Sequence, residues 1–256
     1  MTTDYGKFCT GDEGCTMHNL HCSYPNCIYG RTQKKLKIVN PMIFNSKVKV
    51  VEHLDQFDSE MVKNEPMFFS ADLDFAYDNG GPITKNFIQR LPKEFFGDKY
   101  AYLDSRVHML MEGWYPCIPG WHHDDVPRNT PDGQPNYVNP PYRTKHVMAL
   151  VNADIAPTQF LIGNIQVPTP VSGSAIYKQW DDSIDSQLNK YNDYVVMNAE
   201  SNKLYEFDCD TFHRGTAAVK NGWRWFGRVS IGRKRTVPSE IRRQVQVYMP
   251  TINAGW

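Results

Sequence analysis

The chain has 256 residues, enough for one sizeable domain with a buried core. Its 28 basic residues balance its 28 acidic residues, so the overall charge gives no attraction to nucleic acid or to an anionic membrane. No run approaches the roughly 18 consecutive apolar residues of a membrane span, and the first residues lack the basic and apolar stretches of a secretory signal. We therefore expect a cytoplasmic protein without a membrane partner.

The first thirty residues are rich in cysteine. Four of the six cysteines of the chain lie there, namely Cys9, Cys15, Cys22 and Cys27, and two histidines lie among them. In a reducing compartment such a cluster favours a metal site, and zinc would stabilise a short polar segment. The spacing contains no Cys-x2-Cys pair, so free thiols or two disulfides are the alternative. We expect a zinc-binding extension over residues 1–30 and a main domain over residues 31–256.

Residues 38–112 combine strand and helix signals. Residues 38–51 have the alternation of one or two short strands. The turn Asn-Gly-Gly-Pro at residues 79–82 precedes a predicted helix, with Thr84 as its N-cap and Pro92 restarting or kinking it.

A long strand is predicted over residues 100–112. Its odd positions are mostly apolar, whereas its even positions include Tyr102, Arg106 and His108. If the odd face packs on helices, these three side chains line a pocket inside the fold. The alternative is an ordinary antiparallel strand with its polar face in solvent.

A candidate metal site follows in the segment Gly-Trp-His-His-Asp-Asp, residues 120–125. His122 and Asp124 are two residues apart, so on a strand both side chains point the same way and can bind one ion. His123 and Asp125 have the same spacing and are the alternative pair. A solvated polar loop after two prolines would explain the same residues without a metal.

The chain then alternates between loop and strand signals. Residues 126–144 contain five prolines and predict a long loop, which we interpret as a lid or binding loop because it follows the metal ligands. Short strands are predicted over residues 146–151, 158–162 and 164–167, and a helix over residues 183–191.

A third metal ligand is available at His213, where the predicted strand beginning at residue 203 ends. Two imidazoles and one carboxylate form the facial triad of non-haem Fe(II) oxygenases, which leaves coordination positions open. The next predicted strand, residues 223–231, carries Arg224 and Arg228 on one face. A planar guanidinium binds a carboxylate through two parallel hydrogen bonds, although both arginines could instead stack on aromatic rings at the surface.

The order His122-x-Asp124, His213 and Arg224 resembles the 2-oxoglutarate/Fe(II)-dependent oxygenases, especially the phytanoyl-hydroxylase-like and taurine-dioxygenase-like branches. Arg228-x-Ser230 resembles the Arg-x-Ser signature of other branches, so either arginine could bind the cosubstrate.

This resemblance implies a mainly β fold, with a double-stranded β-helix (jelly-roll) core and flanking helices. It implies Fe(II) at the triad, and oxidation of a substrate C–H bond by O2 with 2-oxoglutarate as cosubstrate. The candidate residues of the cosubstrate pocket are Arg224, Arg228, Ser230, Tyr102 and Arg106. The substrate stays open among a nucleobase, a protein side chain and a small metabolite.

Two other classes of protein fit the same patterns. A cupin-like metal enzyme would use the triad without 2-oxoglutarate. A non-catalytic jelly-roll protein, such as a component of a viral particle, would use the fold for binding or assembly.

Overall fold

The computed structural model describes residues 41–170, 176–188 and 194–249. The predicted zinc ligands Cys9, Cys15, Cys22 and Cys27 and the boundary after residue 30 lie outside the described residues, so both stay predictions.

The described chain is mainly β, as predicted, with antiparallel sheets and a group of short helices. The strands are β1 Met42–Ser46, β2 Val48–His53, β3 Met67–Phe69, β4 Tyr102–Leu110, β5 Lys145–Val151, β6 Thr158–Val167, β7 Val195–Asn198, β8 Lys203–Asp208, β9 His213–Gly215, β10 Gly222–Ile231 and β11 Glu240–Arg242. The helices are α1 Ser59–Asn64, α2 Leu73–Asn79, α3 Pro82–Gln89, α4 Lys93–Gly97 and α5 Ile176–Leu188. None of these described helices has the length and apolar character needed to cross a membrane.

Two sheets position the site. Within the described residues, the larger sheet has the order β2-β8-β5-β10-β4, and all its pairings are antiparallel. The smaller sheet has the order β1-β6-β7, with β9 also paired to β6, and an isolated bridge joins His122 to His213 at β9. Along the chain, β4, β5, β8 and β10 therefore belong to the larger sheet, whereas the His122 bridge, β6, β7 and β9 belong to the smaller one.

Helices cover one face of the larger sheet. Leu103 and Val107 of β4 and Trp225 of β10 pack there with Val62 of α1 and Phe87 of α3. The odd face of β4 thus packs on helices, as the sequence predicts, although Met109 near its end is exposed. The polar even residues of β4 consequently face the other way.

The other face of the larger sheet meets the smaller sheet. Met148 of β5 and Tyr205 of β8 pack there with Phe160 of β6. Helix α5 packs with the smaller sheet through Ile176, Trp180 and Ile184, which recur every four residues and are all buried. This spacing extends the helix to residues before 183, where we predicted that it begins, and residues 189–191 of the predicted helix lie outside the described residues.

Two local predictions are wrong. Thr84 is not an N-cap, because α3 begins two residues earlier at Pro82. The buried carboxylate of Glu65 accepts hydrogen bonds from the backbone N–H groups of Gly81, Ile83 and Thr84 at 2.9–3.1 Å, and so caps the helix from a distant part of the chain. Pro92 does begin a new helix, α4, as predicted.

The second error concerns residues 158–167, which form one strand rather than two. Gly163 indicates a break in the sequence, but its backbone (φ 136°) stays in the strand and pairs with Ser46 of β1. Pairing with the neighbouring strand thus carries β6 through the glycine.

Candidate metal centre

His122, Asp124 and His213 converge beside β9 of the smaller sheet, and Asp124 also pairs with Arg228 of β10 in the larger sheet. One ligand atom from each side chain lies within 4.8 Å of the other two. The backbone explains this approach, because His122 N donates to His213 O at 3.0 Å and His213 N donates to His122 O at 3.1 Å. The two imidazole rings lie side by side, with their centroids 4.6 Å apart.

Hydrogen bonds fix the orientation of both rings. The Nδ1 atom of His122 lies 2.8 Å from the carbonyl oxygen of Gly120, and that of His213 lies 2.9 Å from the carbonyl oxygen of Thr211. A carbonyl only accepts, so each Nδ1 carries the hydrogen in these contacts. In the neutral rings the lone pair is then on Nε2, which is the usual arrangement of metal-binding histidines.

Both Nε2 atoms face Asp124. The Nε2 atom of His213 lies 3.1 Å from Asp124 Oδ2, and that of His122 lies 4.0 Å from Asp124 Oδ1. Burial, followed by the charge of His213, lowers the pKa of His122, which favours the neutral form that binds metals. Burial opposes ionisation of Asp124, but Arg228 and His213 outweigh it and hold its pKa well below the usual value. The donor set is thus two imidazole nitrogens and one carboxylate.

The alternative pair has other partners. His123 is 3% exposed, stacks on Phe212 with ring centroids 3.9 Å apart, and places its Nδ1 2.8 Å from the hydroxyl of Tyr137. Asp125 has a left-handed backbone (φ 53°) and accepts a hydrogen bond of 2.8 Å from the hydroxyl of Tyr102. The structure therefore brings His122 and Asp124, and not the alternative pair, next to His213.

Arg228 binds the two neighbouring aspartates. Its Nη1 donates to Asp124 Oδ2, and its Nη2 lies 3.3 Å from Asp125 Oδ2. Tyr102 is the second donor to Asp125, and burial followed by the Asp125 charge raises the pKa of Tyr102 to about 12. Ser230 lies 2.8 Å from Nδ1 of His146, a buried histidine that the sequence did not single out. Arg228 is thus already paired.

Arg224 has a different environment. It is 2% exposed, its Nη2 lies 3.4 Å from Thr158 Oγ1, and its Nε has no hydrogen-bond partner. No carboxylate in the described part of the chain forms an ion pair with it. Burial, followed by the nearby charge of Arg106, lowers its pKa to about 10, while Cys117 acts in the opposite direction. Arg224 is therefore a buried cation without an anion.

Arg106 lies on the same face as Arg224. The register of β4 and β10 places Arg106 opposite Phe226 and His108 opposite Arg224. Its guanidinium carbon lies 5.8 Å from the centre of the Phe226 ring, and the side chain is half-buried. Of the predicted pocket residues, the structure thus groups Arg106 with Arg224, and groups Tyr102 with Asp125 and Arg228.

Helix α5 supports the segment that carries the first two ligands. Trp121 donates its backbone N–H to Asp181 at 2.7 Å and its indole N–H to Asp185 at 3.2 Å. The guanidinium of Arg214 lies over the same indole, 4.3 Å from the ring centre. These acids are some sixty residues away in sequence, and no motif connects them to the metal site.

The proline-rich loop after the ligands forms no helix or strand between residues 126 and 144. Tyr137 of this loop packs against Trp180 of α5, and Arg128 lies over the ring of Tyr177, 5.8 Å from its centre. Tyr177 in turn lies edge-on to His122, with ring centroids 6.3 Å apart. The loop therefore packs beside the triad, and its role as a lid stays a prediction.

No protein-family model matches the chain. No curated protein matches it either. Among solved structures, the chain is similar to EvdO2 from Micromonospora carbonacea var. aurantiaca, in a crystal structure complexed with 2-oxoglutarate. The identity is 12%, the TM-score is 0.30, and the similarity covers 56% of this chain and 55% of that chain. Similarity at this level establishes neither a shared fold nor a shared function.

Proposed function

We propose that the chain is an Fe(II)- and 2-oxoglutarate-dependent oxygenase with a double-stranded β-helix core. The observation that carries this proposal is a buried, unpaired arginine, Arg224, on the strand that follows a His-Asp-His triad. The sheets support the proposed core, because strands of two antiparallel sheets alternate along the chain and the triad contacts both sheets, through His213 of β9 and through Arg228 of β10.

The triad suits a divalent transition metal. His122, Asp124 and His213 would hold Fe(II) through two nitrogens and one oxygen, and three protein ligands leave positions for a cosubstrate and O2. When bound, Fe(II) would supply the chemistry with O2 that no amino-acid side chain provides. Arg228 would keep the Asp124 carboxylate ionised and hold one of its oxygens.

Arg224 would bind the distal carboxylate of 2-oxoglutarate. An unpaired buried charge costs several kcal/mol, and a carboxylate ligand would offset that cost through two parallel hydrogen bonds. Thr158, whose hydroxyl already lies beside the guanidinium, would donate to the same carboxylate. Arg228 is less suited to this role, because Asp124 and Asp125 already pair with its Nη1 and Nη2 groups, although its Nε has no partner among the described residues.

The proposed reaction consumes 2-oxoglutarate and O2 and releases succinate and CO2. One oxygen atom enters succinate, and the other enters a C–H bond of the substrate. A metal enzyme that does not use 2-oxoglutarate would have no need of an anion at Arg224.

Succinate formation tests this function. We expect the full chain with Fe(II), O2 and ascorbate to convert 2-oxoglutarate slowly to succinate and CO2 even without its substrate, as measured by NMR, because ascorbate supplies the two electrons that the substrate would otherwise give and the second oxygen atom leaves as water. His213→Ala should abolish this conversion, and Arg224→Gln should raise the 2-oxoglutarate concentration needed at least tenfold. His123→Gln, at the alternative pair, is the matched control and should retain iron binding. Iron binding without any use of 2-oxoglutarate would refute the proposal in favour of a cupin-like enzyme, and the absence of iron binding would favour a non-catalytic protein.

A further inference from the structure

We propose that Arg106 binds an anionic group of the primary substrate, a carboxylate or a phosphate, beside the cosubstrate pocket. This inference rests on the proposed function, because the cosubstrate is what distinguishes the role of Arg106 from that of Arg224. It narrows the substrate to a molecule that carries an oxyanion.

The first argument is the position of Arg106. Arg106 and His108 are two residues apart on the same face of β4. His108 pairs with Arg224 of β10, so Arg106 and Arg224 lie on the same face of the sheet. Burial raises the pKa of the partly buried Cys117 thiol, while Arg224 and Arg106 lower it and Asp124 raises it again. Cys117 thus lies within electrostatic reach of both arginines and of the triad residue Asp124.

The second argument is the charge of this pocket. Two other nearby arginines are paired, Arg228 with Asp124 and Asp125, and Arg242 with Asp104 at 3.4 Å. Arg106 forms no hydrogen bond or ion pair with any residue in the described ranges, and its contact there is with the Phe226 ring. Together with Arg224, it leaves two positive charges without a counter-ion among residues 41–170, 176–188 and 194–249.

His108 adds no further charge to this pocket. Its Nε2 lies 3.2 Å from the carbonyl oxygen of Gln246, so this nitrogen donates and the unpartnered Nδ1 carries the lone pair. Burial, followed by the charges of Arg224 and Arg106, lowers the pKa of His108 to about 3. The ring is therefore neutral at physiological pH and neither adds nor removes a charge.

The two arginines differ in accessibility, which assigns them to different ligands. Arg224 is fully buried and contacts Thr158, whereas Arg106 is half-buried on the strand at the edge of the larger sheet. The cosubstrate would offer one carboxylate to Arg224, since its 2-oxo acid group would bind the metal. An anion bound by Arg106 would then come from another molecule, and a guanidinium fork favours oxyanions.

The test follows the Nε–H resonances of both arginines by NMR in the full chain loaded with Zn(II). Arg106→Lys and Arg224→Lys assign the two signals, and the exposed Arg143 serves as the internal control. 2-Oxoglutarate is added to saturation first, and sodium phosphate or sodium acetate is then titrated at constant ionic strength.

We expect 2-oxoglutarate to shift the Arg224 signal, and one of the two small anions to shift the Arg106 signal afterwards in a saturable manner. Arg106→Gln should weaken the binding of that anion at least tenfold. The anion that binds more tightly indicates whether the substrate group is a phosphate or a carboxylate.

Two results would overturn the inference. In the first, 2-oxoglutarate moves both arginine signals along one saturation curve, so that both arginines belong to the cosubstrate pocket. In the second, neither phosphate nor acetate moves the Arg106 signal. If 2-oxoglutarate does not shift the Arg224 signal while a small anion still shifts the Arg106 signal, the proposed function is wrong and the anion site at Arg106 is supported.

Discussion

Replacing Arg228 with methionine tests how the triad carboxylate is held. The substitution keeps a long side chain but removes the cation shared by Asp124 and Asp125. Removing one partner of a fully buried ion pair costs about 3–5 kcal/mol, and the partial exposure of both carboxylates reduces the expected loss to about 2–4 kcal/mol. For a domain of this size, each kcal/mol lowers Tm by about 2–4 °C, so we expect Tm to fall by about 4–16 °C.

The assay is thermal unfolding followed by circular dichroism, in EDTA and again with Zn(II). A bound cation replaces the lost positive charge at Asp124, so Zn(II) should raise Tm more in Arg228→Met than in the parent protein. Arg143→Met is the matched control, because Arg143 is 60% exposed and its pair with Asp210 contributes at most about 1 kcal/mol. An Arg228→Met protein that loses no more stability than this control would refute the reasoning.

Three further predictions concern the stability of the fold. Glu65→Ala removes the cap of α3 and leaves buried N–H groups unpaired, so chemical denaturation should show a loss of about 1–3 kcal/mol, with a smaller loss for Glu65→Gln. The pKa of His108 falls from 6.5 in the unfolded chain to about 3 on folding, so its neutral form contributes stability that is complete above pH 6.5 and is lost as pH falls toward 3. His108→Gln should therefore reduce the slope of the free energy of unfolding against pH, between pH 6.5 and 3, by up to about 1.4 kcal/mol per pH unit. An unchanged slope would count against burial of the neutral ring. A Cβ at Gly215 would lie 2.3 Å from the Cys117 sulfur, so Gly215→Ala should cost about 1–3 kcal/mol by thermal unfolding, and adding Cys117→Ala should recover most of it.

Local patterns predict most of the strands. The strands β4 and β10 can be predicted from their alternating pattern, because one face of each packs on helices and the other carries polar residues toward the site. The pair His122 and Asp124 can be predicted because the two residues have the two-residue spacing of side chains on one face. The prediction that His213 ends the strand from residue 203 is wrong, because β8 ends at Asp208 and His213 begins β9. The sequence does not predict which pair binds the metal, His122 with Asp124 or His123 with Asp125, because this depends on the aromatic residues that enclose His123.

Long-range partners cannot be predicted in this way. Arg228 and Arg224 are equivalent in sequence pattern, and only the fold shows that two aspartates pair with Arg228, while no aspartate of the described residues pairs with Arg224. The cap of α3 comes from Glu65, sixteen residues before Gly81, so the local signal at Thr84 is misleading. In each case the deciding contact is made by tertiary packing and leaves no periodic signal.

The most direct test of the proposed function is an anaerobic titration of the full chain with Fe(II) and 2-oxoglutarate, followed by visible absorption. We expect a charge-transfer band of the iron–2-oxo acid chelate that is absent in His122→Ala and needs at least tenfold more 2-oxoglutarate in Arg224→Gln. A folded, monodisperse protein that gives no such band would contradict the proposal.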